Sequence, residues 1–256
     1  MARKIVLTGG KGGVGKTTVC ANLGASLSKK GARVLICDAD FGLNNIDVVC
    51  GVEAQSTYDV VDVIEGRCRA KQALIRHPDF PLLYILPSNR SVPERYVSPQ
   101  ALKAVLDGIE GSFDFLLIDS PDGVEEGFHR ACACASEALV VTTPHITSLR
   151  DADKALALLK SYQLQGVGLI VNRVRGDRLL SGESLSPQEV SQLLALPLIG
   201  AIPERDSLEI GEFSGGGKPF QMLAHNLVSK KKRIFDATKP YTGFFGALKR
   251  MVRKNL

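Results

Sequence analysis

The octapeptide Gly10-Lys11-Gly12-Gly13-Val14-Gly15-Lys16-Thr17 constrains this chain more than any other feature. It satisfies G-x-x-x-x-G-K-[ST] and stands between a short apolar run, Ile5–Thr8, and a helical pattern that opens at Thr17. Strand, glycine loop and helix in that order make a phosphate-binding turn. Glycines let backbone N–H groups converge on phosphate oxygens with no Cβ in the way. The helix that follows offers its positive end to the same anion. In such a loop Lys16 reaches the β- and γ-phosphates and the Thr17 hydroxyl holds Mg²⁺, with Thr18 completing the first helical residues around the anion.

The rest of the chain supplies the scaffold that such a loop needs. Apolar runs recur at Ile5–Thr8, Val34–Cys37, Leu82–Leu86, Phe115–Ile118, Leu139–Thr142, Leu169–Val171 and Leu198–Ala201. Most are continuous rather than alternating, as in strands buried on both faces. Helical patterns lie between them. Thr17–Lys30 stops at Gly31. Ser98-Pro99 opens a second helix, with Ser as N-cap and Pro at the first helical position. Ser186-Pro187-Gln188-Glu189 is a capping box that opens a third. This alternation predicts an α/β fold, a three-layer P-loop architecture with a mostly parallel central sheet flanked by helices. A chain of 256 residues closes such a core without a disulfide or metal staple. Its six cysteines, Cys20, Cys37, Cys50, Cys68, Cys132 and Cys134, lack the paired spacing of a zinc site and read as reduced thiols. No signal peptide and no apolar run of roughly 18 residues is visible, so the expectation is a cytoplasmic protein whose membrane contact, if any, is peripheral.

Acids end two of the predicted strands. Asp38-Ala39-Asp40 follows the second, and Leu116-Leu117-Ile118-Asp119-Ser120-Pro121 closes the fourth. The C-terminal ends of parallel strands are where open α/β sheets bind ligands. Asp119 is placed to hold Mg²⁺ through water, as in a Walker B element. Asp38 would support the metal shell, and Asp40 would orient the attacking water. A single strand-end Asp is as often a cap or turn residue. Three of them beside one glycine loop favour chemistry.

Lys11 is not needed to cradle phosphate, and a solvated surface lysine is the lesser alternative for it. Lys11-Gly12-Gly13-Val14-Gly15-Lys16-Thr17, however, resembles the deviant Walker A loop of the MinD/ParA group of ATPases. The resemblance implies that ATP is the nucleotide, that the ATP-bound protein is a homodimer, and that Lys11 crosses the interface to the partner's nucleotide. Asp38 to Asp47 resembles the family's switch I. Val141-Thr142-Thr143-Pro144 and Leu149-Arg150-Asp151-Ala152-Asp153 resemble its stretch after the fifth strand. Asn172-Arg173 and Ile202-Pro203 resemble its adenine-binding segments, which makes Asn172, Arg173 and Pro203 nucleotide contacts, although an Asn at a strand end also serves turns. The similarity runs from Arg3 to the last residues and is nearest to the MinD branch. That branch implies recruitment of the division inhibitor MinC and stimulation by MinE or a topological anchor. Slow hydrolysis without a partner is expected, since no residue announces a strong general base. The sequence departs from the pattern at Asn44, Asp122, His145 and Arg205, which bears on partner surfaces more than on ATPase chemistry.

Charge separates the C-terminal segment from the rest. Residues 230–256 hold nine Lys/Arg against the single acid Asp236, which leaves 23 basic and 26 acidic residues elsewhere. An acidic body with a basic tail points to an anionic partner for the tail rather than to nucleic acid along the body. At helical spacing Tyr241, Phe244, Phe245, Leu248, Met251, Val252 and Leu256 fall within an arc of about 140°. Lys249, Arg250, Arg253 and Lys254 fall outside it. This is the pattern of a helix lying in an anionic lipid surface, though a helix docked on the core or on a partner shares it. The resemblance favours the membrane, with Phe244, Phe245, Leu248, Met251 and Val252 inserted and Lys249 and Arg250 near headgroups. The expected division is an ATPase domain over 1–237 and a linker plus membrane-targeting helix over 238–256.

Alternatives within the same superfamily remain distinguishable. A flagellar-number regulator shares loop and tail but carries an N-terminal extension, for which a first strand at Arg3 leaves no room. A ParA-type DNA-partition ATPase calls for a basic body. An iron–sulfur reductase calls for more than Cys132 and Cys134, and a tyrosine kinase calls for a terminal tyrosine cluster rather than Tyr241 alone.

Overall fold

The computed structural model describes residues 1–41, 45–89, 96–204, 213, 217–229, 232–243 and 246. Eight strands form one sheet: β1 (Arg3–Thr8), β2 (Val34–Asp38), β3 (Ile75–Arg76), β4 (Leu83–Leu86), β5 (Phe115–Asp119), β6 (Glu137–Thr142), β7 (Gly166–Val174) and β8 (Leu198–Pro203). Their order across the sheet is β3-β4-β2-β5-β1-β6-β7-β8. Every pairing is parallel except β3 with β4. The mostly parallel α/β sheet expected from the continuous apolar runs is therefore present. β1, β2 and β5 are wholly or almost wholly buried because helices cover both faces.

Helices α1 (Lys16–Ser28), α2 (Ile46–Val49), α3 (Val60–Ile64), α4 (Pro99–Ile109), α5 (Glu126–Ala133), α6 (Ile146–Leu159), α7 (Gly176–Leu180), α8 (Pro187–Leu193) and α9 (Gly217–Val228) follow the strands. α1 has no polar face, since it is wedged between the sheet and α9 and buried from Val19 through Ser28. It ends at Ser28, two residues before the expected Lys30, and the chain turns away through Gly31 at φ 88°. α4 is capped by Ser98, whose side chain accepts from Ala101 N at 3.1 Å. α8 carries the predicted capping box between Ser186 and Glu189.

One apolar cluster joins α1 and α9 to one sheet face, and a second joins α3, α4, α5 and α6 to the other. A third lies between α8, β7, β8 and the strap of residues 232–238. The strap is fastened by Asn226, whose Nδ2 donates to the carbonyls of Ile199 and Arg233 while its Oδ1 accepts from Arg233 N, each at 2.8 Å. It delivers Tyr241 into the body, buried beside Gly176 in the short turn Lys239–Tyr241. Tyr241 thus belongs to the packing of the folded body rather than to an outward apolar arc. Phe244, Phe245, Leu248, Lys249, Arg250, Met251 and Val252 lie outside the described residues, as do Asn44 and Arg205. No helix among the described residues is long and apolar enough to cross a membrane.

Candidate nucleotide site

The glycine loop joins β1 to α1 at the C-terminal edge of the sheet. β1 is flanked there by β5 and β6, and the connections that leave β1 for β2 and β5 for β6 run in opposite directions, which opens a crevice beyond the strand ends. The loop fits between close neighbours. A Cβ on Gly10 would fall 1.9 Å from the Asp151 carbonyl oxygen of α6. Gly15, at the N-cap of α1, has φ 89°, and a Cβ there would meet Asn172 Nδ2 at 2.5 Å. Only glycine satisfies both positions without moving α6 or β7.

Lys16 is buried, 4% exposed, and its Nζ donates to Asp122 Oδ1. Thr17 donates its hydroxyl to Asp119. Asp38 and Asp119 end adjacent strands as register partners, and both are buried. Burial, reinforced by its neighbour's charge, pushes the Asp38 carboxyl well above the usual range. Burial also pushes Asp119 up to about 7, against the pull of the Thr17 hydroxyl and the Lys16 ammonium. Asp119 Oδ1 has no hydrogen-bond partner among the described residues. A buried carboxylate oxygen with no donor, next to a hydroxyl and a second carboxylate, matches the hard oxygen set of a divalent cation. Thr17, Asp38 and Asp119 therefore fit Mg²⁺.

Asp38 has a further task. Its Oδ1 accepts from Asp40 N at 2.9 Å and its Oδ2 from Ile46 N at 3.3 Å, so it pins both ends of the segment that leaves β2. Asp40 is half-buried, and its carbonyl accepts from Ser88 Oγ at 3.0 Å. Its charge is felt at Asp119, which places its carboxylate at the same crevice. Lys11 is exposed and donates to Thr147 Oγ1 of α6 at 3.2 Å, so its ammonium faces outward along the loop's rim.

Asn172, 7% exposed, donates its Nδ2 to the Val14 carbonyl at 2.8 Å and so braces the loop from β7. Its neighbour Arg173 is exposed, with φ 55°, at an irregularity in the β7–β8 pairing. Pro203 closes β8 opposite Val174. Arg173 and Pro203 thus stand on the β7–β8 side of the loop, away from the metal acids. Asp122 is the site residue that sequence reasoning did not assign. Its signal was its position three residues beyond Asp119, in the turn that brings the β5–α5 connection back over the loop. Cys132 and Cys134 lie in α5 and at its end, where burial pushes their thiols up to about 12, so neither offers a thiolate.

Residues 5–215 match the CobQ/CobB/MinD/ParA nucleotide binding domain. The septum site-determining protein MinD of Bacillus subtilis is 40% identical over 231 residues, covering 90% of this chain and 85% of that protein. Two solved structures superpose closely. The MinC:MinD cell division protein complex of Aquifex aeolicus has a TM-score of 0.81 at 34% identity, covering 91% of this chain and 100% of that one. Septum site-determining MinD of Pyrococcus horikoshii complexed with Mg-ADP has a TM-score of 0.78 at 32% identity, covering 90% and 97%.

Proposed function

The chain belongs to the MinD branch of the CobQ/CobB/MinD/ParA nucleotide-binding family, and from that membership we propose that it is an Mg²⁺-dependent ATPase that positions the division septum by switching on and off the inner face of the cytoplasmic membrane. The carrying observation is the crevice at the ends of β1, β2 and β5, where Lys16, Thr17, Asp38 and Asp119 converge on one cradle.

Each residue has a distinct task in hydrolysing ATP to ADP and phosphate. The loop N–H groups from Gly10 to Thr18 and the Lys16 ammonium take the negative charge of the β- and γ-phosphates. Thr17 and Asp119, with Asp38 behind them, would hold Mg²⁺, which would supply further positive charge to the phosphates. A cation beside Asp119 replaces the donor that its Oδ1 lacks and favours the ionised carboxylate. Asp40, on the segment that Asp38 fixes, orients the attacking water. None of these is a strong base, so turnover is slow until a partner completes the site.

Lys11 faces outward, ready to reach a second copy's nucleotide, and this makes dimerisation dependent on ATP. The dimer holds two copies of the segment beyond Tyr241. Each basic residue near an anionic surface contributes roughly 1 kcal/mol, and a single short helix anchors only marginally. Pairing two of them raises affinity through effective concentration. ATP therefore drives attachment, and hydrolysis releases the protein. A homologous MinC:MinD complex supports MinC as the recruited division inhibitor. MinE or a topological anchor is the expected stimulating partner, and no specific nucleic acid is required. Residues 1–237, with the turn Lys239–Tyr241 packed on them, act as the ATPase unit, and the rest of 238–256 as linker and membrane helix.

Co-sedimentation with anionic phospholipid vesicles tests this reading, using ATP or ADP and comparing the full chain with one truncated after Gly246. Truncation at that point spares Tyr241 and its packing on Gly176. The expected result is pelleting with ATP that ADP does not support and that truncation removes. Equal pelleting with both nucleotides would sink the switch. No pelleting at all would make residues 244–256 a docking helix, and salt-sensitive binding to non-specific DNA would then favour a partition ATPase.

A further inference from the structure

We propose that the Asp122 carboxylate is an internal competitor for the phosphate cradle, so that nucleotide must displace it from Lys16 and Gly12 and Asp122 sets the affinity for ATP and ADP. The inference rests on the nucleotide-site reading above and adds to it a residue that weakens binding.

Asp122 lies in the turn between β5 and α5, a turn that bends through Gly123 at φ 82°. Lys16 Nζ donates to its Oδ1. Its other oxygen lies against the loop itself: a Cβ built on Gly12 would fall 2.5 Å from Asp122 Oδ2 and 3.2 Å from its Cγ. Both oxygens therefore engage the loop, one at its buried lysine and one at a glycine. These are the places where a G-x-x-x-x-G-K-T loop receives phosphate oxygens. Carboxylate and phosphate oxygens are the same kind of partner for an ammonium. They also compete there, since a carboxylate and a phosphate within a few ångströms of each other repel.

The two members of the pair differ in exposure, which makes the contact a latch. The Lys16 side chain is 4% exposed and the Asp122 side chain 56%. Lys16 is shielded from bulk water, whereas Asp122 can rotate outward and regain its hydration. Nucleotide binding then selects the fraction of molecules in which the carboxylate has left, and the apparent dissociation constant rises as that fraction falls. Because Lys16 serves the β-phosphate, the effect applies to ADP as well as ATP. A half-exposed ion pair is weaker than a buried one, so its removal should tighten binding by about tenfold rather than by several orders of magnitude.

The test is titration of the full chain with N-methylanthraniloyl-labelled ADP and ATP in the presence of Mg²⁺, with Asp122→Asn and Asp122→Ala beside wild type. Asn keeps the size of the side chain and removes its charge, and far-ultraviolet circular dichroism confirms that each variant is folded. The expected result is tightening of about tenfold in both variants for both nucleotides. Unchanged or weaker binding by folded Asp122→Asn overturns the competitor, and if wild type still binds, the nucleotide site itself stands. Absence of binding in every chain, wild type included, would remove both readings together.

Discussion

At the scale of single residues, Asp119 ties the stability of the fold to pH. Its folded carboxyl titrates near 7, far above an unfolded aspartate, so the folded chain binds a proton that the unfolded chain has released. For an acid raised in this way, the contribution to stability is lost as pH rises from about 4 to about 7. Asp38 pushes in the same direction. His77, whose burial lowers it from its ordinary value, pushes the other way through the region just below 6.5. Comparing wild type with Asp119→Asn isolates the carboxylate. The variant's nucleotide-free unfolding free energy should gain on wild type as pH rises from 5 to 7.5, by up to a few kcal/mol. Parallel pH profiles from thermal melts would show that Asp119 is not held protonated. The variant should also lose Mg²⁺-dependent hydrolysis. The meeting of Asp38 and Asp119 at one sheet edge was legible in the sequence because each ends an apolar run. Asp122 was not, because its task depends on a turn folding back over Gly12, and no spacing rule announces a tertiary contact of that kind.

Elements were legible in proportion to how far their periodicity stood clear of their surroundings. Long buried strands such as β5 and capped helices such as α8 appeared nearly at their observed bounds. β3 has only two residues, too few to show a pattern, and it pairs antiparallel at the sheet edge. β7 runs from Gly166 to Val174, beyond its apolar centre, because pairing with β6 and β8 recruits the polar Asn172 and Arg173 into the strand. The strap of residues 232–238 gave no sign of packing, and the stretch from Asp236 to Tyr241 reads in the sequence as a linker although Ala237 and Tyr241 are buried. Its position is set by Asn226, buried at 4% exposure and making three hydrogen bonds to backbone. Asn226→Ala leaves those backbone groups without their partner and should cost about 3 kcal/mol. The melting temperature should fall by several degrees, and amide exchange should accelerate in residues 232–237 before it does in β1. Uniform loss of protection across the sheet would mean that Asn226 supports the core rather than the strap.

At the scale of the whole molecule, Lys11 and the C-terminal segment belong to one argument. Among the described residues Lys11 has little to do: it is exposed, and its ammonium reaches the Thr147 hydroxyl alone. An exposed hydrogen bond of this kind is worth under about 1 kcal/mol, so Lys11→Ala should leave the monomer's melting temperature almost unchanged. On the proposed reading, Lys11, exposed on the rim of the phosphate loop, acts between two copies. Sedimentation velocity with ATP and Mg²⁺ should therefore give a dimer for wild type and a monomer for Lys11→Ala, with nucleotide binding weakened but present. A dimer retained by the variant would contradict the cross-interface role. Membrane affinity follows from the same step, because joining two marginal anchors multiplies their hold by roughly a hundredfold or more without any new lipid contact. Lys11→Ala, with its tail intact, should then fail to pellet on vesicles in ATP. That result separates a switch built on dimerisation from a tail that binds lipid by itself.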